Sequence, residues 1–408
     1  MNLEQTQSAY LSKYPLTLRP LLRACEQLRC GELTIATADG QHFTFKGVQE
    51  GPRANLIIHH PLRVQWKLLN RGDIGFAEAI IEGDCATPDL QALMRLALQN
   101  DDSVGRVIGG HWLAGLLDRL RHLANRNNRR GSRRNIRYHY DLGNDFYRLW
   151  LDPTMSYSAA LFAHPLQSLD AAQGNKYRRL LNTLEANPSD DILEIGCGWG
   201  GFASLAARRG HRVTGITLSQ QQLRYARETI ALQGLDNRVE FKLLDYRDLH
   251  DRQFDHIVSI EMFEAVGERY WPQYFQTLKR SLKSGGRVAL QTITIDDALF
   301  GSYRKKADFI QLHIFPGGML PSPEVFARHA AQAGLRIVQQ DFFGEHYAET
   351  LRRWRENFHQ ARDSVVALGF DEPFMRLWDY YLNYCEAGFR SGRTNLMQVV
   401  LEHSDRGR

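Results

Sequence analysis

From Asp191 onward the chain settles into a regular alternation of apolar and polar positions. Short apolar runs stand at 191–195 (DILEI), 213–217 (VTGIT), 239–245 (VEFKLLD), 254–260 (FDHIVSI) and 286–295 (GRVALQTITI). Stretches with helical spacing separate most of them, at 219–233 and 270–282. Strands alternating with helices predict an α/β chain with a parallel, doubly wound sheet. The first hundred or so residues mix strand and helix patterns and predict a smaller α+β domain. In it, Leu90, Leu93, Met94, Ala97 and Leu98 are expected to share one face of a helix, with the Asp89 carboxylate near its start. Between the two regions lies ANRNNRRGSRRN, which reads as a linker. The expected division is therefore an N-terminal domain over 1–123, a basic linker over 124–135 and a larger domain over 136–408.

Composition fits this division. The 408 residues are 43% hydrophobic and 24% charged, enough apolar material for two cores. No apolar run approaches the roughly 18 residues of a spanning helix. The start, MNLEQTQSAYLSKYPL, lacks the basic and apolar segments of a signal peptide. Cys25, Cys30, Cys85, Cys197 and Cys385 are scattered, odd in number and without metal-ligand spacing. They predict reduced thiols in a cytoplasmic protein with no metal centre. The net charge of +5 conceals a local excess: eight arginines and no acid lie between positions 119 and 137. Such a stretch can bring a protein to an anionic membrane surface, or simply be a solvated linker.

The first strand runs directly into Gly196, Cys197, Gly198, Trp199, Gly200 and Gly201. Glycines here let a ligand approach the backbone, and a helix beginning near Gly201 aims free N–H groups at it. The spacing is GxGxG, not the GxGxxG of dinucleotide binders, and no lysine follows, which excludes a P-loop. The pattern, with Glu194 closing the strand, resembles the first motif of class I methyltransferases, which bind S-adenosylmethionine. After the second strand, Thr217, Leu218 and Gln222 are candidate cofactor contacts. Ser219 and Gln222 alternatively form a capping box that starts the next helix. Asp245 and Tyr246 follow the third strand, where the adenine would lie in such a fold.

Several motifs in order then resemble the cyclopropane fatty acid synthase family, which includes the mycolic acid cyclopropane synthases. They are HYDLGNDFYRLWLDPTMSYSAALF, LEIGCGWGG, GITLSQQQ, MFEAVGERYW, QLHIFPGGMLPS, FGEHYAETLRRW and YYLNYCEAGFR, spanning about 136 to 400. The N-terminal region is similar, less sharply, to the lipid-associated domain of the bacterial phospholipid enzymes. The resemblance implies a Rossmann-like methyltransferase fold and methyl transfer from S-adenosylmethionine to a cis double bond of a phospholipid acyl chain. A bound bicarbonate would then remove a proton so that a ring closes. By matched motif, Tyr157, Ser158, Gly196, Gly198, Thr217, Leu218, Gln222 and Ile260 are expected to contact the cofactor. Glu264 and Tyr347 are expected beside the bicarbonate, Ile293 is expected to give a backbone contact, and Cys385 occupies a cysteine position once considered catalytic.

The sequence also departs from that pattern. Ala159 replaces a cysteine of the bicarbonate pocket, and Gln291 replaces a histidine and joins the candidate catalytic group. Glu261 stands where glycine is common, and Ala265 replaces another histidine. The Ala159 side chain offers no hydrogen bond, and Gln291 cannot titrate. Methyl transfer is unaffected by these changes. Bicarbonate binding and ring closure are left open, and the product is expected to be either a cyclopropane or a methyl- or methylene-branched chain. A methyltransferase for a soluble small molecule is the alternative on the same fold. Phospholipid at an anionic membrane is the expected partner, a homodimer is open, and no nucleic-acid recognition motif is present.

Overall fold

The structure, a computed structural model, describes residues 14–101, 142–249 and 252–404. The arginine run and the expected linker lie outside them. By compactness the described chain divides into two units. The smaller comprises 14–101 with 370–387, and the larger 142–249 and 252–369 with 388–404.

The smaller unit carries a four-stranded sheet in the order β2-β1-β3-β4, formed by β1 (Cys30–Thr37), β2 (His42–Lys46), β3 (Gln49–Ile58) and β4 (Cys85–Ala86). Its helices include α1 (Arg19–Cys25), α2 (Pro61–Ile81) and α3 (Leu90–Gln99). Asp89 caps α3 as expected, its side chain accepting from the Ala92 N–H at 2.9 Å. The buried face differs from the expected one. Leu90, Leu93, Met94 and Leu96 are buried, whereas Ala97 is exposed and Leu98 half-buried. Leu96 is drawn in because it packs against Gly31 of β1, where the missing side chain leaves room.

The larger unit is built on a seven-stranded sheet in the order β10-β11-β9-β8-β5-β6-β7. Strands β5 (Asp191–Ile195), β6 (Arg212–Thr217), β7 (Val239–Leu243), β8 (Phe254–Ile260) and β9 (Leu282–Ile295) are mutually parallel, as the alternation predicts. β11 (Thr394–His403) runs antiparallel to β9, and β10 (Leu335–Phe342) antiparallel to β11. Period-2 geometry sends successive residues of β5 to opposite faces. Ile192 enters a core with α4 (Leu169–Thr183), α5 (Gly201–Arg208) and α6 (Gln220–Leu232). Leu193 and Ile195 enter the core on the other face, with Tyr274, Phe275 and Leu278 of α7 (Trp271–Ser281) and Phe326 of α8 (Pro323–Gln332). This is the doubly wound arrangement of a Rossmann-like fold. The strand order reverses between β5 and β8, so a crevice opens beyond the carboxyl ends of these two neighbours. Both key loops of the chain start there.

Candidate active site

The first loop leaves β5. Gly196, Gly198 and Gly200 all have positive φ, at 82°, 52° and 90°. Two of them do different work. A Cβ on Gly200 would meet the Phe241 ring at 2.9 Å, so this glycine permits close packing beneath the loop. A Cβ on Gly198 would meet nothing within 4 Å, so this glycine faces open space. Helix α5 starts at Gly201 with no side chain capping its N–H groups. Below, Glu194 is buried; the Ala203 N–H donates to it, but its Oε2 has no partner among the described residues. Burial pushes the Glu194 carboxyl well above the ordinary range. An open glycine cradle, a helix N-terminus and a buried carboxyl with one oxygen unpartnered among the described residues fit a ligand carrying both a carboxylate and hydrogen-bond donors.

The neighbouring loops supply the rest of the expected cofactor set. Thr217 Oγ1 donates to Gln222 Oε1 at 2.9 Å, while Ser219 Oγ accepts from the Gln222 N–H at 3.3 Å. The Gln222 side chain therefore turns to Thr217 and not back to the Ser219 N–H, so the reciprocal capping box does not form. Leu218 lies between, half-buried. Asp245 is 2% exposed, and Arg247 engages its carboxylate through the backbone N–H and the guanidinium. Tyr246 packs edge-on against Tyr274. Tyr157 sits among aromatic rings, with Tyr147, Trp150 and Trp354 centroids at 5.4, 5.5 and 5.3 Å. The turn before it is shaped by Asp152, whose carboxylate accepts from the Thr154 and Ser156 N–H groups. Ser158 Oγ accepts a 2.6 Å hydrogen bond from Lys176 Nζ.

The second loop leaves β8 at Ile260, which pairs in register with Gln291 of β9. The next residue, Glu261, has φ +50°, a left-handed conformation that a glutamate adopts at a cost. Its N–H donates to the Gln291 carbonyl at 2.7 Å. The side chain is half-buried, and its carboxylate accepts three hydrogen bonds. Ala159 N–H and Gln291 Nε2 donate to Oε1 at 2.9 and 2.8 Å, and the Tyr347 hydroxyl donates to Oε2 at 2.6 Å. The Ala159 position thus contributes through its backbone, which its side chain alone could not reveal. Gln291 is oriented by Gln398, whose Nε2 donates to Gln291 Oε1 at 2.8 Å. Burial raises the Glu261 carboxyl above its ordinary range, and the three donors with the nearby Lys176 ammonium oppose that rise.

Glu264 follows one turn later. Its Oε1 accepts from the Ile293 N–H at 2.5 Å and from Thr292 Oγ1 at 3.0 Å, while its buried Oε2 has no partner among the described residues. Burial first, and then the Glu261 charge, push Glu264 up to about 8. Two neighbouring buried carboxyls therefore share their charge unequally: Glu261 holds the better donors, and Glu264 takes the proton. Lys176 is fully buried and lowered to about 8 by that burial, against the pull of Glu261, Asp152 and Glu194.

Segment 159–162 is clamped by helix α9 (Gly344–Gln360), which also carries Tyr347. Thr350 Oγ1 accepts from the Ala160 N–H at 3.0 Å, and His346 Nδ1 accepts from the Phe162 N–H at 3.1 Å. Glu264, Tyr347, Gln291 and Ile293 are thus brought together. Cys385 is half-buried on α10 (Glu372–Arg390), in the part grouped with the smaller unit. Glu261, Lys176, Thr350 and Gln398 were not among the expected site residues. Only Glu261 gave a signal, as a carboxylate in place of a glycine.

The chain is similar to known proteins along most of its length. The family model described as mycolic acid cyclopropane synthetase matches residues 127–399. The tuberculostearic acid methyltransferase of Mycobacterium tuberculosis is 42% identical over 90% of this chain and 87% of its own. The cyclopropane-fatty-acyl-phospholipid synthase of Escherichia coli is 35% identical over 82% of this chain and 84% of its own. Among solved structures, a mycolic acid cyclopropane synthase complexed with SAH and CTAB superposes with a TM-score of 0.62 at 30% identity, covering 66% of this chain and 97% of that one. With its Rossmann-like larger unit and these matches, the chain belongs to the mycolic acid cyclopropane synthetase family.

Proposed function

We propose that this protein is an S-adenosylmethionine-dependent transferase that adds one carbon to a cis double bond in the acyl chain of a phospholipid. The observation that carries this reading is the pairing of two loops at one switch point. The open Gly198 cradle ends β5, and a buried, donor-lined carboxylate pair follows the adjacent β8. S-adenosylmethionine supplies an electrophilic methyl group when bound. Gly196, Gly198, Thr217, Leu218 and Gln222 would hold it, with Glu194 beneath the loop, Tyr157, Ser158 and Ile260 beside it, and Asp245 and Tyr246 toward its adenine.

An alkene is a weak nucleophile, so the enzyme must align it and exclude water. The half-buried Tyr157 ring, backed by the fully buried Tyr147, Trp150 and Trp354, supplies an apolar surface for this purpose. It also suits the cationic charge that develops as the methyl moves. Glu264, Tyr347 and Gln291 are assigned to the step that follows, loss of a proton. The product is a cyclopropane or a methyl- or methylene-branched chain. Similarity to the phospholipid synthase supports a phospholipid carrier, and the arginine run supports work at an anionic membrane surface.

The test is direct. Purified protein is incubated with methyl-labelled S-adenosylmethionine and vesicles of monounsaturated phosphatidylglycerol. Label is expected in the fatty acids released from the lipid. Label absent from all acyl chains, with S-adenosylmethionine bound, would point to a soluble acceptor and contradict the reading.

A further inference from the structure

We propose that the Glu261 carboxylate is itself the proton acceptor of this reaction, filling within the chain the place that a bound bicarbonate holds in the enzymes this sequence resembles. The inference rests on the one-carbon transfer reading above. Its basis is where the pocket's donors point. The Tyr347 hydroxyl, the Gln291 amide and the residue 159 N–H all belong to positions matched to the bicarbonate pocket. All three converge on the two oxygens of Glu261 at 2.6–2.9 Å. The Gln291 amide cannot be turned the other way, because its oxygen already accepts from Gln398. A three-donor carboxylate site is therefore built and filled by a side chain.

The backbone supports the same reading. Glu261 is one of only three non-glycine residues with positive φ among the described residues. Strain of this kind persists where the surroundings over-determine it, and it gathers at functional sites. It places the carboxylate off the end of β8, at the switch point. Charge is arranged to match. Lys176, buried on α4, favours the ionised form of Glu261, and Glu264 beside it keeps its proton.

The step balances without an added base. The alkene π pair forms the new bond to the methyl carbon, and the sulfur–carbon bond breaks with its pair left on sulfur. The acyl chain then carries a carbocation. Glu261 takes a proton from the transferred methyl group. The released C–H pair closes a three-membered ring. After a neighbouring hydride has shifted to the cationic carbon, leaving the charge on the carbon that bears the methyl group, the same pair forms the double bond of a methylene branch instead. Either way Glu261 becomes a neutral carboxylic acid and later returns its proton to water.

The test compares wild type, E261Q and E261G, each checked for a cooperative thermal transition and for S-adenosylmethionine binding by calorimetry. Glycine suits φ +50° and vacates the carboxylate position. Two readouts are used: label transfer to unsaturated phospholipid in carbon-dioxide-free buffer, and binding of carbon-13 formate and bicarbonate followed by NMR. Wild type is expected to work equally well with or without bicarbonate and to bind neither anion at this site. E261Q is expected to lose roughly 100-fold or more in rate, the range for removing a general base, with cofactor binding retained. E261G is expected to bind formate and bicarbonate and to regain activity with them. A wild type that needs bicarbonate, or an E261Q protein at wild-type rate, overturns the inference while leaving one-carbon transfer standing. A wild type that labels no acyl chain overturns both.

Discussion

The Tyr347 hydroxyl donates a 2.6 Å hydrogen bond to Oε2 of Glu261, joining helix α9 to the loop after β8 across 86 residues of sequence. The Tyr347 ring is held separately, stacked on Phe389 at 4.3 Å between centroids. Packing and hydrogen bonding at this residue can therefore be separated by experiment. Tyr347→Phe keeps the ring and removes a bond to a charged group, worth about 1.5–3 kcal/mol. The expected outcome is a rate lowered roughly 10- to 100-fold, with unchanged S-adenosylmethionine affinity and a melting temperature lowered by the loss of that bond. A variant that loses affinity but not rate would place Tyr347 in binding.

The glycine loop predicts two different defects from one kind of substitution. Gly198→Ala puts a methyl group into open space where the ligand would lie. Its left-handed φ costs about 1–2 kcal/mol, and cofactor affinity should fall further than stability. Gly200→Ala drives a methyl group against the Phe241 ring at 2.9 Å, with φ at +90°. Stability should fall first in that variant. Calorimetric binding and thermal melts on both proteins check the contrast, and equal effects on both quantities would contradict it.

Glu264 carries a pH signature. Its folded carboxyl is raised from 4.5 to about 8, mainly by burial. The folded state then binds this proton more tightly than the unfolded state does. Its contribution to stability is complete below 4.5 and is lost as pH rises through about 8. Wild type is expected to lose melting temperature across that window, and Glu264→Gln to lose less. Parallel profiles for the two proteins would show that Glu264 is ionised in the fold.

Much of the larger unit was legible in the pattern of the chain. The five parallel strands and the helices at 220–232 and 271–281 follow directly from apolar periodicity. The two antiparallel strands were not legible. β10, LRIVQQDF, is an edge strand with five of its eight residues exposed, and its apolar positions do not alternate with the polar ones. β11 takes its pairing from β9, about a hundred residues away in sequence. The cofactor loop could be read because its residues lie close together in sequence. The Glu261 cluster could not, because its donors stand 102, 30 and 86 residues away. Nor does a local sequence reveal that a glutamate will take a left-handed backbone. At Ala159 the missing thiol suggested a lost contact, yet the backbone N–H makes one.

The central claim is one-carbon addition to an acyl chain. The most direct measurement is expression in a host lacking such enzymes, followed by mass spectrometry and proton NMR of its fatty acids. The expected result is unsaturated chains converted to species heavier by one methylene unit. Upfield cyclopropane protons would mark ring closure, and their absence with the same mass gain would mark branching. Fatty acids unchanged from those of the empty host, with the protein folded and present, would contradict the account.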